Sequence, residues 1–131
     1  MVDAATRLIL DLFSDFPFAT KADKANFISM LLQPIVRKLI NGATPIYIIN
    51  ASRPNSGKTL LVDLVWRILL GTDPNPMGWG DQEAEQEKLI TTALMAGKTI
   101  LYFDNLKPRK LDSSVLAKVA TQETWSGSRW K

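Results

Sequence analysis

The hydrophobic positions of this chain fall into two kinds of pattern. From Asp3 to Phe16, Ala5, Leu8, Ile9, Leu12, Phe13 and Phe16 recur at helical spacing and form one apolar stripe. Pro17 closes that helix. Thr20 followed by Asp23 has the form of a helix cap, and it predicts a second helix over Lys21 to Ile40. Pro34 lies inside it, where a ring without an N–H predicts a kink or two helices end to end. Asn41-Gly42 is a stop signal.

Beyond this point the period changes. Ile46-Tyr47-Ile48-Ile49 is apolar at every position and β-branched at three, the pattern of a buried central strand. Ala51 to Ser56 reads as a loop, and Lys58 to Leu70 as a helix with Leu61, Leu64, Val65 and Ile68 on one face, ended by Gly71. Thr72 to Gly80 is irregular, with two prolines and two glycines. Asp81 to Ala96 is a helix whose early glutamates suit its N-terminal dipole, with Gly97 as its stop. Thr99 to Phe103 is a second buried strand, and Leu111 to Gln122 a further helix capped by Asp112 or Ser113. No repeat or low-complexity segment interrupts this order.

Strands alternating with helices predict the α/β class, a parallel sheet flanked by helices. Residues 1–42 form an N-terminal helical segment, and residues 43–131 the start of a nucleotide-binding core. Only two strands are clear, and an isolated pair is not a stable sheet. The expectation is a piece of a larger domain, incomplete at its C-terminus.

Composition narrows the chemistry. The 131 residues are 46% apolar, enough for a core, yet no apolar stretch reaches the ~18 residues of a membrane span. Asp3 stands where a secretory signal carries positive charge, so a soluble, cytoplasmic protein is expected. Cysteine and histidine are absent, which removes disulfides, Cys/His metal sites and any triad with a histidine base. A net charge of +3 is ordinary for this length. It would suit nucleic acid or a phosphate ligand only if clustered on one face.

The string that carries chemistry runs from Ile46 to Thr59, a strand, a loop and a helix start. Ser52-Arg53-Pro54-Asn55-Ser56-Gly57-Lys58-Thr59 follows the phosphate-loop pattern G-x-x-x-x-G-K-[ST], with Ser52 in place of the first glycine. Backbone N–H groups of the loop and the helix start, as far as Leu60, would face the phosphates, where the helix dipole favours anions. Gly57 permits close backbone approach. Lys58 would place its charge at the β- and γ-phosphates, and Thr59 its hydroxyl at Mg²⁺. The plainer reading is a helix start with an incidental glycine and lysine.

A metal site for such a loop needs a carboxylate at a neighbouring strand end. Asp104, after Thr99 to Phe103, fits that position and joins Thr59 as a metal ligand; read plainly, Asp104-Asn105 is a turn. Asn105 stands where many ATPases carry a glutamate, and asparagine can orient a water without taking its proton. Glu85 and Lys88, three apart on one helix, are a further candidate pair for activating water; the alternative is a solvated ion pair.

Taken together these motifs resemble the helicase-type ATPase segment of phage and mobile-element proteins. That group is near the superfamily-3 and AAA+ helicases and often forms the C-terminal part of primase–helicase fusions. The stretches that carry the resemblance are Asp15-Phe16-Pro17-Phe18, the Leu31 to Ile40 helix with Pro34, Pro54-x-x-Gly57-Lys58-Thr59-Leu60-Leu61, Glu85-x-x-Lys88-x-Ile90-Thr91, Phe103-Asp104-Asn105-Leu106 and Leu111-Asp112-Ser113-Ser114-x-Leu116-Ala117. The resemblance implies a P-loop NTPase fold, ATP and Mg²⁺ as ligands, and ATP-driven work on DNA by a homo-oligomer during replication. It also implies a sensor residue and an arginine finger beyond Lys131, and Arg129 is given no role.

A second reading is a nucleotide-binding module without turnover, serving assembly or regulation; Asn105 and Ser52 favour it. A small kinase is disfavoured, since no arginine of a lid lies between Arg67 and Arg109. Trp66 reads as core, while Trp79, Trp125, Trp130, Phe16 and Phe18 could serve as core or as base-stacking groups. Lys107-Pro108-Arg109-Lys110 reads as a solvated turn or as a contact to DNA phosphates.

Overall fold

The computed structural model describes residues 1–107 and 111–126. Five α-helices account for the regular structure in it: α1 (Val2–Leu12), α2 (Lys21–Val36), α3 (Lys58–Leu70), α4 (Glu83–Met95) and α5 (Ser114–Thr121). A short 3-10 turn, Arg37–Leu39, continues α2.

The helix signals act locally, as read. The Thr20 hydroxyl oxygen accepts the Asp23 N–H at 3.1 Å and caps α2. Pro34 stays inside α2, which gives way to the 3-10 turn three residues later, at Arg37. Gly71 caps α3 at φ 67°, in the left-handed region where a Cβ is costly. The Ser113 side chain accepts the Leu116 N–H and caps α5.

The expected sheet does not form, and the α/β assignment, a P-loop NTPase with a parallel sheet, is overturned. Among the described residues there is no strand, and the single β-bridge pairs Met77 with Phe103. Residues 43–50 form no regular element and make no backbone hydrogen bond to 99–104. Ile46 and Ile48, expected in a sheet centre, are 43% and 66% exposed. On the other face of the segment, Tyr47 bonds through its hydroxyl to Ser29 of α2 at 2.8 Å. The physical reason is the number of partners. A parallel pair is the weaker kind of ladder, and two segments alone would leave both outer edges unpaired.

The second extended segment does find one partner, from the irregular stretch Thr72 to Gly80. The Met77 N–H donates to the Tyr102 carbonyl at 2.8 Å, and the Asp104 N–H donates to the Met77 carbonyl at 3.3 Å.

Two apolar clusters hold the chain. Phe13, Phe27, Leu31, Leu61 and Val65 bring the end of α1, α2 and α3 together, with Phe13 and Phe27 edge-to-face at 4.6 Å. This cluster joins residues from both sides of position 42. Trp79, Ile90 and Val115 form the second cluster, with Leu101, Phe103 and Trp125 packed around it. Trp66 of α3 and Tyr102 link the two halves, with ring centroids 6.2 Å apart. The α1 stripe is only partly used, since Leu8 is 72% exposed while Phe13 is fully buried.

The second cluster carries a polar seam. Buried Gln86 donates to the Gly80 carbonyl at 2.9 Å and accepts the Ser113 hydroxyl at 2.7 Å. Thr91 accepts the Trp125 indole N–H at 2.9 Å. Lys118 pairs with Glu87 at 3.2 Å and lies over the Trp125 ring. Trp66, Trp79 and Trp125 therefore pack inside the protein; Trp130 lies outside the described residues.

Candidate phosphate-binding loop

Residues Ala51 to Thr59 wrap around a recess of about 580 Å³ and are its whole lining. Asn50 opens the turn by accepting the Ala51 N–H on its side-chain oxygen at 2.8 Å. Two residues of the loop are left-handed, Asn55 at φ 58° and Gly57 at φ 85°. Asparagine and glycine are the residues that adopt this region at least cost. Left-handed residues of this kind are one ingredient of an anion nest, in which successive N–H groups turn towards one point.

The loop ends as α3 begins. Gly57 is the N-cap, and its carbonyl accepts the Leu61 N–H at 2.9 Å. The N–H groups of Lys58, Thr59 and Leu60 therefore belong to the first turn, where no intrahelical acceptor exists. Lys58, Thr59 and Leu60 are exposed, as are Ser52, Pro54 and Asn55, while Ser56 and Gly57 are half-buried. Every residue from Ser52 to Leu60 expected at the phosphates thus sits at the loop or the helix start. Phe16 stands beside them: a Cβ on Gly57 would lie 3.5 Å from the Phe16 ring.

The expected metal carboxylate lies on the segment that runs beside α3. Tyr102 contacts Trp66, and burial raises the Tyr102 phenol above its ordinary value of 10.0, helped by the charges of Asp104 and of Asp63 on α3. Asp104 is exposed. One of its oxygens accepts the Asn105 N–H at 2.7 Å, and Asn105 is left-handed at φ 58°. The Asp-Asn pair is thus a tight turn that leaves the second carboxylate oxygen for other use. No group of three or more His, Cys, Asp or Glu side chains gathers at one point among the described residues.

Glu85 is placed differently. Its carboxylate folds back over the start of α4 and accepts the Asp81 N–H at 3.2 Å. Glu85 is exposed, on the helix that carries Ile90 of the second cluster. Pro108, Arg109 and Lys110 of the basic run, and Arg129, lie outside the described residues.

Two participants have no clear signal in the sequence. Met77 pairs with Phe103 from a stretch rich in proline and glycine, and Asp63 reaches the Tyr102 region from a helix position that reads only as polar.

Comparison of the chain with family models, with curated proteins and with solved structures finds no match. No helix among the described residues is long and apolar enough to cross a membrane.

Proposed function

We propose that this chain binds the triphosphate of ATP in the loop Ser52 to Thr59 and serves as the ATP-binding segment of an ATPase that works on DNA. The observation that carries the reading is the loop itself. Nine consecutive residues line one open recess at a helix start, with Asn55 and Gly57 left-handed and Lys58 at the first helical position. Backbone N–H groups and the helix dipole favour an anion there. Lys58 adds a mobile positive charge on a flexible stem.

Mg²⁺ enters with the nucleotide. This ion keeps several waters and takes one or two protein ligands beside the phosphates; Thr59 and Asp104 are the residues that would hold it. When bound, it would neutralise charge on the phosphates. The chain's own residues do the rest: the loop orients the phosphates and Lys58 holds their outer charge. The link to DNA, to a homo-oligomer and to replication rests on the resemblance of the motif order to phage primase–helicases.

A module without turnover is the second reading. Asn105 favours it, because an amide cannot accept the proton of an attacking water.

The test is calorimetry of Mg-ATP binding to the wild type and to Lys58→Ala. Lys58 is exposed, so the variant keeps its fold. The expected loss of affinity is ~2–4 kcal/mol, the scale for truncating one partner of a buried charge pair. Equal affinities would remove the phosphate-loop reading.

A further inference from the structure

Gly57 is where the loop turns into α3, at a φ of 85°. Glycine takes both signs of φ readily, so its own backbone does not fix that turn. The side on which a Cβ would stand is covered by Phe16, from the turn between α1 and α2. Two atoms of the Phe16 ring lie 3.5 and 3.9 Å from that Cβ position, and among the described residues no other group beyond the chain neighbours of Gly57 comes within 4 Å of it. Phe16 is held in its turn. Its ring packs on Phe13 at 5.9 Å, and Phe13, fully buried, shares a cluster with Leu61 and Val65 of α3. One aromatic ring therefore joins the pivot of the loop to the core that seats the helix behind it.

We infer that Phe16 is the positioning residue of the phosphate loop: it holds Gly57 in the left-handed turn that aims the first N–H groups of α3 before any ligand arrives. This rests on the phosphate-loop reading, because it concerns how the same loop is prepared. The recess is lined by one run of chain, Ala51 to Thr59, so no other element contributes to its lining. A loop of that kind must be ordered at binding unless a contact from outside orders it beforehand, and ordering at binding lowers affinity. Phe16 is not part of the lining and acts through Gly57. Phe18 supplies the contrast. It belongs to the same turn, is half-buried against the same cluster and packs on Phe27 at 5.2 Å, yet it does not come within 4 Å of the Gly57 Cβ position.

The experiment is calorimetry of Mg-ATP binding to the wild type, to Phe16→Leu and to Phe18→Leu. Both variants keep an apolar group against the core, and only the first removes the ring from Gly57. The expected result is that Phe16→Leu binds about tenfold more weakly, the scale of leaving one residue's backbone to be fixed at binding. Phe18→Leu stays within about twofold of the wild type. If Phe16→Leu also stays within about twofold, the positioning role is overturned and the phosphate loop stands. If the two variants lose affinity equally, the effect belongs to the packing of the whole turn, and the role of Phe16 is again overturned. If the wild type does not bind Mg-ATP, both readings fall. Nuclear Overhauser contacts between the Phe16 ring and the Gly57 α-hydrogens in the wild type decide should Phe16→Leu not fold. Contacts present without ligand and unchanged by Mg-ATP support a turn set in advance, and contacts absent without ligand, or lost on binding, overturn it.

Discussion

Glu85 occupies the space that a side chain on Gly80 would need: a Cβ built there comes within 2.6 Å of the Glu85 carboxylate. The same carboxylate accepts the Asp81 N–H, so Glu85 closes the turn that leads into α4. Gly80 and Glu85 therefore share one turn.

The two positions are expected to be coupled. Glu85→Ala removes one exposed hydrogen bond and costs about 0.5–1 kcal/mol in urea unfolding. Gly80→Ala pushes the carboxylate aside and costs a similar amount. In the Glu85→Ala background, Gly80→Ala becomes neutral or slightly stabilising, because the added methyl then only restricts the unfolded chain. A double-mutant cycle reads the coupling, and strict additivity would contradict the arrangement.

Gln86 joins three parts of the second cluster through the Gly80 carbonyl and the Ser113 hydroxyl. Gln86→Leu keeps the volume but leaves both partners without their bond in a buried place. The expected loss is about 1–3 kcal/mol by chemical denaturation. A neutral outcome would mean that water replaces the amide.

Tyr102 makes stability depend on alkaline pH. Burial, then Asp104 and Asp63, raise its phenol above the ordinary value. The unfolded chain therefore loses this proton first as pH rises. The contribution is complete below about pH 10, the unfolded value, and is lost as pH climbs towards the raised folded value. Tyr102→Phe should flatten that decline, and Asp104→Asn should shift the phenol's absorbance titration to lower pH. An unmoved titration in Asp104→Asn would separate the two groups.

On the ATP-binding proposal, Asp104 would hold the metal and Asn105 would face the attacking water. Asp104→Ala should leave metal-free ATP binding nearly unchanged and abolish the gain on adding Mg²⁺, because the carboxylate acts through the ion. The wild type should hydrolyse ATP well below ~1 s⁻¹ in single turnover, since Asn105 cannot take a proton. A wild-type Mg²⁺ response in Asp104→Ala would leave Asp104 as a turn residue only. Turnover near ~1 s⁻¹ would require a base elsewhere.

The sequence by itself determined the elements whose causes are local. Thr20 and Ser113 cap their helices through their own hydroxyls, and Gly71 ends α3 because only glycine takes its left-handed angle freely. The recess at the start of α3 belongs with these, since its lining is one unbroken run from Ala51 to Thr59. Only the tertiary structure decided the rest. Ile46 to Ile49 and Thr99 to Phe103 have the apolar pattern of buried strands, but a strand needs neighbours, and a run of side chains does not say whether a neighbour comes. Phe103 found Met77 instead, and Ile48 found water. Glu85 reads as a helix-surface acid until its carboxylate is seen over Gly80, and Phe16 as one more aromatic of a stripe until its ring is seen beside Gly57. These contacts join residues whose spacing along the chain carries no period, so they exist only once the helices have packed.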